Sequence, residues 1–162
     1  MLLPRTGETP APPPMSRWLG IDHGTKRIGV AAGDTSTGIA GPLTVLEAAP
    51  PEAAIQEIIR LAGEHRADGI VVGWPLNMDD SEGPQGKLAR AMAARLADAG
   101  DLDVRLWDER LSSFEADQAL AGQLTRGKRR ARQDAIAAAV ILQDFLSRGG
   151  PDAAPTPDQA GE

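Results

Sequence analysis

Apolar positions change period along the chain, and the changes mark its elements. The run Trp18-Leu19-Gly20-Ile21 is closed by Asp22, and after His23-Gly24-Thr25-Lys26 an alternating stretch covers Arg27 to Ala32. Two such runs joined through a glycine-containing turn predict a β-hairpin. Ile39 to Leu46 predicts a third strand, with Pro42 implying an edge position or an irregular start. Pro50-Pro51-Glu52 opens a helix to about His65, with Ile55, Ile58, Ile59 and Ala62 on one face. Gly69 to Gly73 is a continuous apolar run, as expected of a strand buried on both faces. An alanine-rich helix follows from about Pro84 to Ala97, with Leu88, Met92 and Leu96 at four-residue spacing. Val104 to Trp107 predicts a fifth strand, ending in Asp108-Glu109-Arg110. Ser112 with Glu115 three residues on predicts a capped helix to Ala121, and a last helix runs from about Arg132 to Ser147. The order β-β-β-α-β-α-β-α-α is an antiparallel meander followed by two parallel crossovers. It predicts a single α/β domain with a mixed five-stranded sheet flanked by helices.

Composition adds boundaries to this picture. Five of the 13 prolines fall in the first 14 residues and three in the last 12, so residues 1–15 and 149–162 are expected to be disordered tails around a domain spanning 16–148. The first 15 residues hold one Arg and one Glu, the last 14 hold three acids and no base, so half of the net charge of −6 lies in the C-terminal segment. An acidic balance excludes a protein that coats nucleic acid by bulk positive charge. With no cysteine, disulfides, thiolate metal sites and cysteine nucleophiles are excluded, and a reducing, cytoplasmic setting is expected. No apolar run approaches the ~20 residues of a membrane span, and the N-terminal residues lack the apolar stretch of a signal peptide.

Three places set carboxylates at a strand end or a helix start: Asp22, the pair Asp108 and Glu109, and Asp134. Carboxylates converging from separate elements are what a hard, oxygen-seeking ion such as Mg²⁺ or Mn²⁺ requires, and such ions support phosphodiester hydrolysis. Asp134 shares a helical face with Ala138, Ile141 and Phe145, which turns it toward the core, where it needs a partner. Asp108 and Glu109 point to opposite faces of a strand end, so one of the two is expected to reach the site, and periodicity does not say which. Arg126, Lys128, Arg129, Arg130 and Arg132 set five positive charges in seven residues beside Asp134, a density suited to phosphate contacts, and Lys26 and Arg27 beside Asp22 extend it. Gly122 to Lys128 has the spacing of a phosphate-binding P-loop, but Arg129 stands where a Mg²⁺-binding Ser or Thr is needed and the segment follows a helix. His23 and His65 show no metal-ligand spacing.

Four segments, LGIDHGTKRIGVAAGD (19–34), VVGWPLNMDDSEGPQ (71–85), VRLWDERLSSFEAD (104–117) and GKRRARQDAIAAAVILQDFL (127–146), together resemble the RuvX/YqgF family. Its members are described as Holliday junction resolvases and as nucleases of pre-16S ribosomal RNA. The resemblance implies an RNase H-like fold and a metal-dependent phosphodiesterase processing the 5′ end of pre-16S rRNA, with four-way DNA junctions as the alternative substrate. It implies catalytic roles for Asp22, Asp108, Glu109 and Asp134, with Asp22, Glu109 and Asp134 holding Mg²⁺ or Mn²⁺. Lys26, Arg27, Arg110, Arg126, Lys128, Arg129, Arg130 and Arg132 would contact structured RNA or branched DNA, Thr25 and Asn77 would line the cleft, and junction cutting would call for a homodimer. His23 and Trp74 stand where the family often has other residues, and Ser112-Ser113 replaces a Thr-containing pair. A non-catalytic nucleic-acid-binding module of the same fold is the reading from another class. Sugar kinases and actin-like ATPases share a similar first hairpin, but they bind nucleotide between two such domains, and this chain has room for one.

Overall fold

The computed structural model describes residues 15–111 and 126–160, with backbone alone at 111 and 126–132. The strands are β1 (Arg17–His23), β2 (Arg27–Asp34), β3 (Ala40–Glu47), β4 (Gly69–Trp74) and β5 (Asp103–Asp108). They form one sheet in the order β3-β2-β1-β4-β5. β1 pairs antiparallel with β2 and parallel with β4, β2 pairs antiparallel with β3, and β4 pairs parallel with β5. The predicted mixed sheet is therefore present. Pro42 on β3 stands opposite Ala31 where the register shifts, so the proline sits on an edge strand at an irregularity.

Helices α1 (Pro51–Glu64) and α2 (Pro84–Ala99) cover one face of the sheet, and α3 (Arg126–Ser147) covers the other. On the first face, Leu19, Ile21, Ile28, Val30, Ile70, Val72, Val104 and Leu106 meet Ile55, Ile58, Met92 and Leu96. On the second, Trp18, Val71 and Trp107 meet Ala138, Ile141, Leu142 and Phe145. Phe145 lies between the two tryptophans, with ring centroids 4.8 Å from Trp18 and 5.9 Å from Trp107. Leu88 departs from its predicted face and is 48% exposed, while Ala89 is buried. Steps of four residues drift by about 40° each, so the buried stripe of α2 follows Ala89, Met92, Ala93 and Leu96 and leaves Leu88 at its margin.

The last helix begins at Arg126, more than a turn before the expected Arg132. The helix predicted over Ser112–Ala121 and the N-terminal tail through residue 14 lie outside the described residues. The expected C-terminal tail is corrected through Ala160. A 3₁₀ turn (Gly150–Ala153) packs against α3, and a short helix α4 (Pro157–Ala160) lies along β5 and α2. Leu106 N–H donates to the Pro155 carbonyl at 2.9 Å, and Arg105 donates to the carbonyls of Pro151 and Ala154. The physical reason is the open edge of β5, whose outward backbone groups need partners that proline-rich composition does not reveal.

Three glycines bring α3 down onto the sheet. A Cβ at Gly20 would stand 2.7 Å from Leu142 Cβ and 2.8 Å from the Ala138 carbonyl, and one at Gly29 would be driven into the Asp134 carbonyl. At Gly73 it would stand 2.6 Å from Ile141 Cδ1. Gly41, by contrast, has open space around it. Gly29→Ala is therefore expected to lose about 3 kcal/mol or more of stability, against less than about 0.5 kcal/mol for Gly41→Ala, as read from urea unfolding midpoints.

Candidate active site

The parallel strands β1 and β4 end side by side, and their terminal residues define the site. Along β1, Trp18 and Gly20 face α3, so Asp22 faces α3 as well. Ile21 registers with Val72, which puts Asp22 and Gly73 one step further on, at the carboxyl ends of their strands. On β5, Trp107 faces α3, and Glu109, two residues later at the start of a 3₁₀ turn, returns to that face. Its carboxylate folds back over Gly73, where a Cβ would lie 2.5 Å from Glu109 Oε1. The bare glycine floor is what admits it.

Glu109 and Asp22 are hydrogen-bonded to each other through their carboxyl groups. Burial, then the charge of Asp22, pushes the Glu109 carboxyl up to about 8, and the charge of Asp108 adds to the rise. Asp108 takes the other direction. It faces away from α3 and accepts Arg110 Nε and Nη2, at 3.0 and 2.7 Å from Oδ1 and Oδ2, and this pairing holds it below the ordinary carboxylate range. Of the adjacent pair, Glu109 is the one the fold brings to Asp22.

Asp134 enters from α3. Its carbonyl rests on Gly29, and Gly29 is the cross-strand partner of Asp22. The Asp134 carboxylate does not complete a triad with Asp22 and Glu109. Arg27 Nε donates to Asp134 Oδ2 at 2.6 Å, in an ion pair whose side chains are 41% and 29% exposed. The core-side partner that the sequence calls for at Asp134 is thus a guanidinium. Among the described residues, no three His, Asp or Glu side chains converge as metal ligands. The expected ligand set is therefore two carboxylates in contact and a third held aside by an arginine. Its donor chemistry, all carboxylate oxygen with a raised acid beside Asp22, fits a divalent cation, which would offset the burial and the like charge that raise Glu109.

The remaining predicted residues separate into two groups. Lys26 and Thr25 are exposed in the β1–β2 turn at this end of the sheet, beside Arg27. Arg110 and Asn77 belong to a brace. Arg110 Nη1 donates to the Asn77 carbonyl at 2.9 Å and Nη2 to Asp80 at 2.8 Å, while Asn77 Nδ2 donates to Ser81 Oγ. The opposite end of the same loop is fixed by Glu82, which accepts Trp74 Nε1 and both Nε and Nη2 of Arg90. So Arg110 clamps the loop after β4, and Asn77 turns its amide group into that loop. Arg126 lies at the start of α3 and Lys128, Arg129, Arg130 and Arg132 in its first two turns, but their side chains lie outside the described residues. His23, whose Nδ1 is buried without a hydrogen bond among the described residues, is lowered by burial and faces the side away from α3. Gly29 and Gly73 are the site residues that pattern reading misses; their signal is a glycine inside an otherwise apolar strand, which marks close approach.

A touching carboxyl pair therefore stands at the strand ends of a mixed five-stranded sheet covered by helices on both faces. Residues 16–148 match the family described as "RuvX: Holliday junction resolvase", and the chain belongs to that family. It is 46% identical over 143 residues to a protein of Opitutus terrae named "Putative pre-16S rRNA nuclease", spanning 87% of this chain and 98% of that one. Proteins of the same name from Chloroflexus aurantiacus (43%, 79% of this chain and 84% of that one) and Paracoccus denitrificans (42%, 90% and 87%) are similarly related. Among solved structures, Thermus thermophilus RuvC in complex with a Holliday junction superposes with a TM-score of 0.52 at 15% identity, covering 82% of this chain and 94% of that one. That likeness is one of fold.

The raised Glu109 carboxyl has a consequence for stability. Its folded-state value of about 8 exceeds the ordinary 4.5, so its contribution is full below about pH 4.5 and is lost as pH rises through about 8. Glu109→Gln is always neutral. It is expected to melt close to wild type at pH 5 and a few °C higher at pH 9 in metal-free buffer, on the order of 1 kcal/mol. Equal melting differences at both pH values, in parallel scanning calorimetry, would contradict the buried pair.

Proposed function

We propose that this chain is a metal-dependent endonuclease that processes the 5′ end of pre-16S ribosomal RNA. The observation that carries the reading is the Asp22–Glu109 pair, two carboxyl groups in contact whose joint ionisation is disfavoured at neutral pH and would be favoured by a nearby cation. Relatives at 42–46% identity that bear a pre-16S rRNA nuclease name support that choice of substrate. The same reading puts the protein in the cytoplasm, where that RNA is made; among the described residues no helix is long and apolar enough to cross a membrane.

Asp22 and Glu109, with Asp134 as a third, would hold Mg²⁺ or Mn²⁺. Such an ion supplies Lewis acidity for the phosphodiester and an acidified water. The chain's own residues do the rest. To serve as a ligand Glu109 would have to give up its proton, so its raised carboxyl would favour cation binding as pH rises toward 8. Gly73 keeps the floor beside Glu109 open, and Arg110 with Glu82 holds the loop after β4 rigid at the rim. Lys26 and the basic start of α3 attract the phosphates flanking the scissile bond.

Asp22→Asn is expected to lower Mg²⁺-dependent cleavage of a pre-16S leader RNA by about a hundredfold or more while leaving the fold intact by circular dichroism. Full cleavage by that variant would remove Asp22 from the mechanism. Paired, symmetric nicks on a synthetic four-way DNA junction, with the leader RNA left uncut, would instead favour the junction resolvase, which needs a two-fold dimer. A melting temperature that ignores Mn²⁺ would favour a non-catalytic module. Neutralising Lys128, Arg129 and Arg130 together is expected to weaken RNA binding and flatten its logarithmic salt slope by about 2 to 3; an unchanged slope takes that segment out of the interface.

A further inference from the structure

Asp134 stands between two competing neighbours. Its backbone is fixed, because its carbonyl rests on Gly29 and the next turns of α3 are seated on Gly20. Only the short side chain can choose a direction. Along β2, Arg27 is two residues from Gly29 and therefore on the same face; across the sheet, Asp22 is paired with Gly29. One direction leads to a guanidinium and the other to the two acids Asp22 and Glu109. Like-charge repulsion from Asp22 and attraction by Arg27 both send the carboxylate to Arg27, which it meets at 2.6 Å. The ion pair is partly exposed, so solvent and competing anions reach it.

Arg27 has somewhere else to go. It opens β2 next to the exposed Lys26, at the end of the sheet where the carboxyl pair lies. Its planar fork of N–H donors suits a phosphodiester as well as a carboxylate. A phosphate entering this turn would compete with Asp134 for the same guanidinium. Glu47, its direct cross-strand partner on β3, gives Arg27 a second anion on the same face.

We propose that Arg27 is a positioning residue that exchanges its acceptor from the Asp134 carboxylate to a nucleic-acid phosphate, and so couples substrate binding to delivery of Asp134 to the Asp22–Glu109 pair. This inference rests on the nuclease reading above and names a control built into that same site. In the absence of nucleic acid Arg27 stands in for the cation at Asp134. With a phosphate bound, Asp134 is released toward the acids, and the set of oxygen donors is complete only then. Linkage requires the coupling to act both ways, so cation and nucleic acid each strengthen the binding of the other.

The test is calorimetric titration with Mn²⁺ of the full chain and of Arg27→Gln, Lys26→Gln, Asp134→Asn and the Arg27→Gln/Asp134→Asn double variant. The first series is run without nucleic acid, and the second with a saturating phosphorothioate-linked RNA hairpin that resists cleavage. Without nucleic acid, Arg27→Gln is expected to bind Mn²⁺ about fivefold more tightly than wild type, the ratio that a partly exposed ion pair supplies. Lys26→Gln should gain markedly less, and the gain of Arg27→Gln should vanish in the Asp134→Asn background. The hairpin should raise the Mn²⁺ affinity of wild type and raise that of Arg27→Gln less. Equal gains in Lys26→Gln and Arg27→Gln, or a gain that persists without the Asp134 carboxylate, would reduce the effect to general electrostatics and overturn the exchange. Mn²⁺ binding that is identical in wild type and Arg27→Gln overturns it too, while leaving the nuclease reading in place. Absence of Mn²⁺ binding in every protein and both series overturns that reading and the exchange together.

Discussion

The close seating of α3 on the sheet is the constraint from which the rest of the site follows. A helix ordinarily packs with its side chains spacing its backbone from the strands. Here Gly20 and Gly29 remove the spacer on β1 and β2, and the Ala138 and Asp134 carbonyls come down to the sheet surface. That contact sets Asp134 above the strand position that pairs with Asp22. Were the helix to stand further off, the three acids would belong to separate surfaces.

A second absence of side chain completes the arrangement. Gly73 leaves a gap at the end of β4, and Glu109 fills it by folding back from β5. The carboxyl group that arrives there is desolvated and faces Asp22, so its proton is retained well above the usual pH. The site stores electrostatic tension that a cation can relieve, and Arg27 holds the third carboxylate at hand. Stability and function pull in different directions at these positions. The neutralising contacts that settle the isolated protein are the ones a bound cation and a bound phosphate would replace.

The opposite rim is built for rigidity. Glu82 ties Trp74 and Arg90 together at one end of the loop after β4, and Arg110 ties Asp108, Asp80 and the Asn77 carbonyl at the other. Two arginines are thereby committed to carboxylates within the chain. The surface around the exposed Lys26 of the β1–β2 turn lies outside this brace. Net charge of the whole chain says little about such a surface, because its acids are distributed among braces, the buried pair and the C-terminal segment.

The order of the five strands and the first two helices, the edge position of β3 and the placing of Asp22, Asp108 and Glu109 at the end of their strands were legible in the sequence. They depend on local periodicity and on the rule that strands buried on both faces lie at the centre of a sheet. Asp134, expected in the first turn of the last helix, stands more than two turns inside it, because that helix already runs from Arg126. The choice of Glu109 over Asp108 was not legible, because alternation separates two adjacent residues without saying which face α3 will cover. Nor was the Arg27–Asp134 pair, whose members are 107 residues apart and meet only because two glycines let a helix approach. The ordering of residues 150–160 escaped for the same reason. Proline-rich composition describes the segment, while the unpaired edge of β5 that it satisfies exists only once the sheet has formed. The sequence by itself determined the five strands, the first two helices and the acids that close the strands; the tertiary structure decided which acids touch, since contact depends on the distance between layers and not on spacing along the chain.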